Sequence, residues 1–278
     1  MDPSARLIHT LIRQRSVVDA VDAGLALCRN RYYDLCITTL IVFVPLYSLK
    51  YVLFVLDLIP FERVFNSFGF FYVQSYTPVN IMVWFLDSAA NTLCGAAICR
   101  YVTMTAESHT LPIRHTKLLP WGELWPLLFN TFIAELIIII GFGLCILPGI
   151  WTGVMFMFVT PLITYEKLTS FSDIWTRSKY LSQNDWWRML GFLLLTFLLL
   201  AILGLSLTYL FAAVYQLVLG QLAWLSGQTA DENLLTMIGG AVVSVLLLPM
   251  QMVFTVVLYF DIRARREGLD IERMVQKL

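Results

Sequence analysis

Apolar residues come in long, nearly unbroken runs along this chain, separated by shorter stretches that hold most of the charge. A hydrocarbon layer about 30 Å thick takes about 20 residues of helix to cross. Six runs reach or approach that length: residues 35–58, 80–104, 124–146, 149–165, 189–212 and 234–260. Leu147-Pro148-Gly149 joins the third run to the fourth without a charge, which predicts a tight helical hairpin. The fifth run continues into 212–226, which would either prolong the span or lie in the membrane interface. The pattern predicts an all-α polytopic membrane bundle with about six transmembrane helices. It forms a single integral membrane domain over 1–278: an amphipathic cytoplasmic segment (1–34), the bundle (35–260) and a cytoplasmic tail (261–278).

Two polar stretches show helical periodicity of their own. Val17, Val18, Val21, Leu25 and Cys28 recur at three- and four-residue steps, and Phe171, Ile174, Trp175 and Leu181 do much the same. Both are expected to form interfacial helices on the cytoplasmic side. Aligning Asp19 with Asp173 brings Leu27 onto Leu181, Asn30 onto Asn184, and Tyr32-Tyr33 onto Trp186-Trp187. That register suggests an internal duplication of an amphipathic helix, an aromatic pair and a span. A shared membrane-surface pattern arising by chance is the competing account. Trp121 and Trp125, ahead of the third run, are a weaker candidate for a third copy.

Composition agrees with the pattern. Of 278 residues, 59% are apolar and 14% charged, against about 25% charged in an ordinary soluble domain. Net charge is zero, so nothing draws the chain to nucleic acid in bulk. Position carries more information. With six spans, every Lys and Arg except Lys50 and Arg63 falls on one side of the membrane or at its edge. The positive-inside rule then makes both termini cytoplasmic. Tyr32, Tyr33, Trp121, Trp125, Trp175, Trp186 and Trp187 fall at that inner interface, and Trp84, Trp151 and Trp224 at the outer one. No cleavable leader is expected, since residues 1–34 are rich in arginine and lack a continuous apolar core. The five cysteines, Cys28, Cys36, Cys94, Cys99 and Cys145, show neither disulfide nor metal spacing and read as small apolar residues.

Ionisable groups inside a membrane are costly and are functional candidates by default. Here they are Lys50, Asp57, Asp87, Arg100 and Glu135, with Asn91 and Asn130 as polar companions. Asp87 and Asn91 are four apart and share a helix face. Helical rise puts Lys50 and Asp87 at depths that allow them to pair, and Asn91 and Glu135 near mid-membrane. Lys50, Asp87, Asn91 and Glu135 therefore read in two ways. They form a polar path with Glu135 as a proton or cation relay, or they form a buried pair with hydrogen-bonding side chains that hold helices together. Gly149 and Gly153 make a G-x-x-x-G face suited to a close helix crossing.

Nothing in the chain assembles a catalytic site. His9, His109 and His115 are the only histidines, and no metal, phosphate-loop, nucleophile-elbow or dinucleotide motif occurs. No catalytic residues, metal or cofactor are expected. The remaining feature is the end of the last run: Tyr259-Phe260-Asp261-x-Arg263-x-Arg265-Arg266-Glu267-Gly268-x-Asp270. Asp261 with Arg265, and Arg263 with Glu267, have the spacing of helical ion pairs. The arginines suit both a helix C-terminus and anionic headgroups. Gly268 is placed to end the helix and Asp270 to cap a short final one. Asp261 is expected to lock onto a basic residue of another segment, either Arg100 or Arg188.

This ending resembles that of a bacterial family named for the membrane domain of glycerophosphoryl diester phosphodiesterases, which includes stand-alone proteins. The LPGIW turn and the later S-x-x-L…WWRML run are also similar to it. The catalytic barrel of the namesake has no counterpart here, so the resemblance implies no enzyme. It implies a six-span bundle in the bacterial inner membrane with an accessory role. The expectation is a non-enzymatic structural or accessory subunit, with membrane lipids including anionic headgroups and either a membrane-protein partner or a second copy as partners. A transporter or lipid-translocating protein using the polar cleft is the alternative.

Overall fold

The computed structural model describes residues 16–56, 78–107, 121–226 and 232–267. Every regular element among them is helical: α1 Val17–Val55, α2 Pro78–Glu107, α3 Trp121–Leu144, α4 Ile146–Phe156, α5 Val159–Glu166, α6 Phe171–Ser182, α7 Trp186–Ser226 and α8 Glu232–Glu267. The protein is an all-α helical bundle. Five stretches are long and apolar enough to cross a membrane: Val17–Lys50, Gly122–Leu144, Ile146–Glu166, Trp186–Val214 and Val245–Glu267. The sixth expected span is α2, which has the length, 30 residues, but interrupts its apolar run with Asp87, Ser88, Asn91 and Thr92. Neighbouring helices take the place of lipid around it, as Cys94, Ala96, Ala97 and Ile98 are all buried.

Burial divides the spans into two classes. The apolar windows of α3 and α7 are 22% and 11% buried, whereas those of α4–α5 and α8 are 56% and 67% buried. In an aqueous protein that would be an exposed core; in a bilayer it separates lipid-facing helices from inner ones. The order along the chain is regular: outer α1 leads to inner α2, outer α3 to inner α4–α5, and outer α7 to inner α8. The inner helices meet each other, α2 against α5 and α8, and α5 against α8 through Phe158, Tyr165, Tyr259 and Phe260.

The suggested duplication has a structural counterpart. In the predicted register, Ala20 and Ile174, Gly24 and Ser178, Leu27 and Leu181, Cys28 and Ser182, and Leu35 and Met189 are all buried. Asp19 and Asp173, Asn30 and Asn184, and Tyr33 and Trp187 are all exposed. The helices also break at equivalent places. Arg31 has non-helical angles (φ −132°, ψ 19°) inside α1, and the turn at 183–185 separates α6 from α7. Each amphipathic helix docks onto an inner helix: Gly24 lies against the ring of Phe254 on α8, and the Ser178 hydroxyl donates to the Met155 carbonyl on α4. Ser16 and Asp19 begin α1 with reciprocal backbone bonds of 3.1 and 3.3 Å, a capping box.

Two local departures from the sequence pattern have backbone causes. The α3–α4 hairpin reverses at extended Cys145, and Leu147-Pro148-Gly149 lies inside the first turn of α4. A proline is tolerated there because its missing N–H would have had no helical partner. The fourth span is broken at Met157–Phe158. Pro161 is the reason: it offers no N–H to the Met157 carbonyl, and its ring crowds that position. The stretch 212–226 neither turns nor lies apart; it continues α7, a helix of 41 residues, about 60 Å long.

Lys167 ends α5 in the left-handed region (φ 57°, ψ 32°) and turns the chain towards α6. A side chain with a Cβ is disfavoured there by about 1 kcal/mol or more. Lys167→Gly is therefore expected to raise the midpoint of thermal unfolding in detergent. An unchanged or lower midpoint would show that the lysine side chain itself holds the turn.

Candidate functional site

The C-terminal motif is the best-built polar site among the described residues, and helical spacing explains its form. Tyr259, Arg263 and Arg266 share one side of α8, while Asp261 and Arg265 share another. The first side meets the end of α5 and, through Arg177 and Tyr180, the C-terminal half of α6, and the second meets the start of α7.

Glu166, the last residue of α5, is the anchor of the first side. It accepts the Tyr259 hydroxyl at 2.7 Å and two parallel bonds from Arg177 on α6, 2.8 Å from Nε and 2.9 Å from Nη2. This two-point geometry is the strong form of an arginine–carboxylate pair. Arg177 also donates to Glu267. Arg263 donates to Glu267 at 2.6 Å, lies 3.8 Å from Glu166, and stacks 4.9 Å from the centre of the Tyr165 ring. The hydrogen bonds of Glu166, with help from Glu267, raise the Arg177 guanidinium above its ordinary value, so it remains a cation at any working pH. One arginine from α6 thus ties the ends of α5 and α8 together.

Asp261 organises the other side. It is 1% exposed and accepts Arg188 at 2.7 Å from Nη2 and 3.3 Å from Nε, with Arg265 at 3.4 Å. Of the two expected partners, the structure brings Arg188 to Asp261, while Arg100 pairs with Glu123. Arg266 reaches Asp185 at 3.5 Å in the α6–α7 turn. Arg266 and Arg177 also lie over Tyr180, at 5.6 and 5.7 Å from its ring centre. Gly268 and Asp270 lie outside the described residues.

Glu166, Arg177 and Asp185 were not singled out in the sequence. A signal for Glu166 was present: each inner helix carries adjacent aromatic and charged residues in its C-terminal part, as Arg100-Tyr101, Tyr165-Glu166 and Tyr259-Phe260-Asp261. The first of these pairs is bound in the same style, since the Tyr101 hydroxyl donates to Asp34 on α1 at 2.5 Å.

The intramembrane candidates make two contacts with neighbouring positions of α2. Lys50 of α1, 0% exposed, pairs with Asp87 of α2. Glu135 of α3 meets the neighbouring Ser88. Asp87 and Ser88 are consecutive on α2, about 100° apart round its axis, and contact different helices. Asn91 is partly buried one turn further along. Asn130 is buried and donates to the carbonyls of Pro126 and Thr169 at 2.7 and 3.0 Å, fastening α3 to the link before α6. The G-x-x-x-G pair also divides. Gly149 lies against Phe142 across the α3–α4 hairpin, while the Cβ direction of Gly153 is open. It is therefore not a continuous crossing face.

Taken together, the described polar chemistry joins helix to helix. No family model, curated protein or solved structure matches this chain.

Proposed function

We propose that this protein is a non-enzymatic integral membrane protein that acts as a structural or accessory subunit of a membrane assembly. In this reading it belongs to the stand-alone branch of the phosphodiesterase membrane-domain family. It sits in the bacterial inner membrane with both termini in the cytoplasm, against anionic headgroups and a membrane-protein partner or second copy.

The observation that carries the reading is the network around Glu166, Arg177 and Asp261. It consumes most of the charge of the motif in holding α5, α6, α7 and α8 in register, which is what a rigid subunit needs. The transport alternative needs a shared cleft, and Lys50–Asp87 and Glu135–Ser88 are contacts of α2 with two different helices.

Cross-linking in native membranes followed by purification in mild detergent tests the proposal. A stoichiometric partner or a defined homo-oligomer is the expected result. A monomer that moves lipid or ions in liposomes, with flux lost in Glu135→Gln at unchanged stability, would replace this reading with the transporter. A reporter fused to the C-terminus should be active only on the cytoplasmic side.

A further inference from the structure

One cavity of about 250 Å³ opens between α2, α4–α5, α7 and α8. Its walls include Gly95 and Cys99, Gly153 and Met157, Phe192, and Met252. Two causes create it. The break at Met157–Phe158 bends the fourth span away from a straight path, and Gly153 leaves its side-chain volume empty, with nothing within 4 Å of where a Cβ would stand.

The lining specifies its chemistry. It holds neither an acid nor a base, so a charged ligand would lie desolvated and uncompensated. Polar groups are nonetheless present on opposite walls. Thr160 of α5 and Gln251 of α8 both line the cavity. Among the described residues neither side chain has a hydrogen-bond partner. Thr196 and Thr255 also line it, but their hydroxyls donate to their own helices, at 2.8 and 3.1 Å. Gln251 is exposed at the mouth and about 15 Å along α8 from Asp261, inside the hydrocarbon layer. An amide facing hydrocarbon calls for a hydrogen-bonding partner. A pocket lined mainly by apolar groups, with a few convergent polar ones, is the common form of a small-molecule site.

We infer that this cavity binds the uncharged polar end of a membrane-soluble lipid, with a carbonyl accepting from the Gln251 amide and the Thr160 hydroxyl and the hydrocarbon tail leaving through the lateral mouth. Two lipid classes share that chemistry: acylglycerols and isoprenoid quinones. The volume lies just below the range of about 300–1,000 Å³ typical of ligand pockets. It holds a head or ring, not a whole lipid. The site is separate from the charged network and does not depend on the accessory reading.

The test uses the full chain in phosphatidylcholine nanodiscs. Photoreactive diacylglycerol and a photoreactive short-chain quinone serve as probes, with a photoreactive alkane and phosphatidic acid as controls. Saturable labelling at 153–161 or 251–256 is expected from one or both carbonyl probes, and the probe that labels identifies the class. Gln251→Leu and Thr160→Val should each weaken labelling roughly tenfold, the loss expected for a well-made hydrogen bond of about 1.4 kcal/mol. Gly153→Leu should abolish labelling by filling the space, at an unfolding midpoint close to that of the parent. Equal labelling by the alkane would mean ordinary annular lipid, and preference for phosphatidic acid would mean a charged site; each overturns the inference. So would undiminished labelling in Gln251→Leu.

Discussion

Asp261→Asn is expected to destabilise the bundle by about 3 kcal/mol, the lower end of the cost of breaking a buried ion pair. The carboxylate is 1% exposed, while Arg188 and Arg265 keep 18% and 28% of their side-chain surface. The arginines therefore recover some hydration after the change, which keeps the loss from being larger. Asparagine can still accept one hydrogen bond, but it leaves two guanidinium charges facing each other without a counter-charge. Arg265→Ala should cost less, about 1 kcal/mol, because Arg265 makes the longer of the two contacts at 3.4 Å and Arg188 still pairs with Asp261. Reversible unfolding in mixed micelles measures both. If Asp261→Asn unfolds at the same point as the parent, the α7–α8 lock does not stabilise the fold.

Lys50→Met is expected to cost about 3–5 kcal/mol, since it strands the Asp87 carboxylate between α1 and α2. The double change Lys50→Met with Asp87→Leu should return to within about 1 kcal/mol of the parent. A buried pair is often no more stabilising than apolar side chains of similar volume. The contrast between single and double variants is the informative quantity. A double variant as unstable as the single one would show that the volume or the polar neighbours matter, not the charge balance.

The legible and illegible features differ in kind. The Asp261–Arg265 and Arg263–Glu267 pairs follow from spacing on one helix and could be read directly. Arg188 was nameable as a candidate because so few basic residues border an apolar run. Glu166 and Arg177 were not, although they form the tightest part of the network. They lie 11 residues apart across the α5–α6 turn, and that turn depends on left-handed Lys167, which no pattern of apolar residues reports. In the polar cluster, depth allowed the Lys50–Asp87 pair, which forms, but did not say which helix each group contacts. Depth along a helix can be computed from rise, but rotation about the helix axis cannot, and rotation sends Asp87 and Ser88 to different neighbours. Gly149 and Gly153 likewise form one face in sequence, yet only Gly149 is in close contact.

By itself the sequence determined the bundle: helices, because long continuous apolar runs satisfy their backbone groups in lipid within one segment, and their approximate extents, because those runs must match the membrane thickness. It also determined the similar apolar spacing of 17–33 and 171–187 and the ion pairs internal to α8. Tertiary structure decided which helices are inner and which face lipid, how the fourth span breaks, and which charge meets which across α5, α6, α7 and α8. Hydrophobic burial is non-directional, so a run that is apolar all round does not say which side meets protein. That choice is made by the few groups with directional demands: Glu166, Arg177, Arg188 and Asp261.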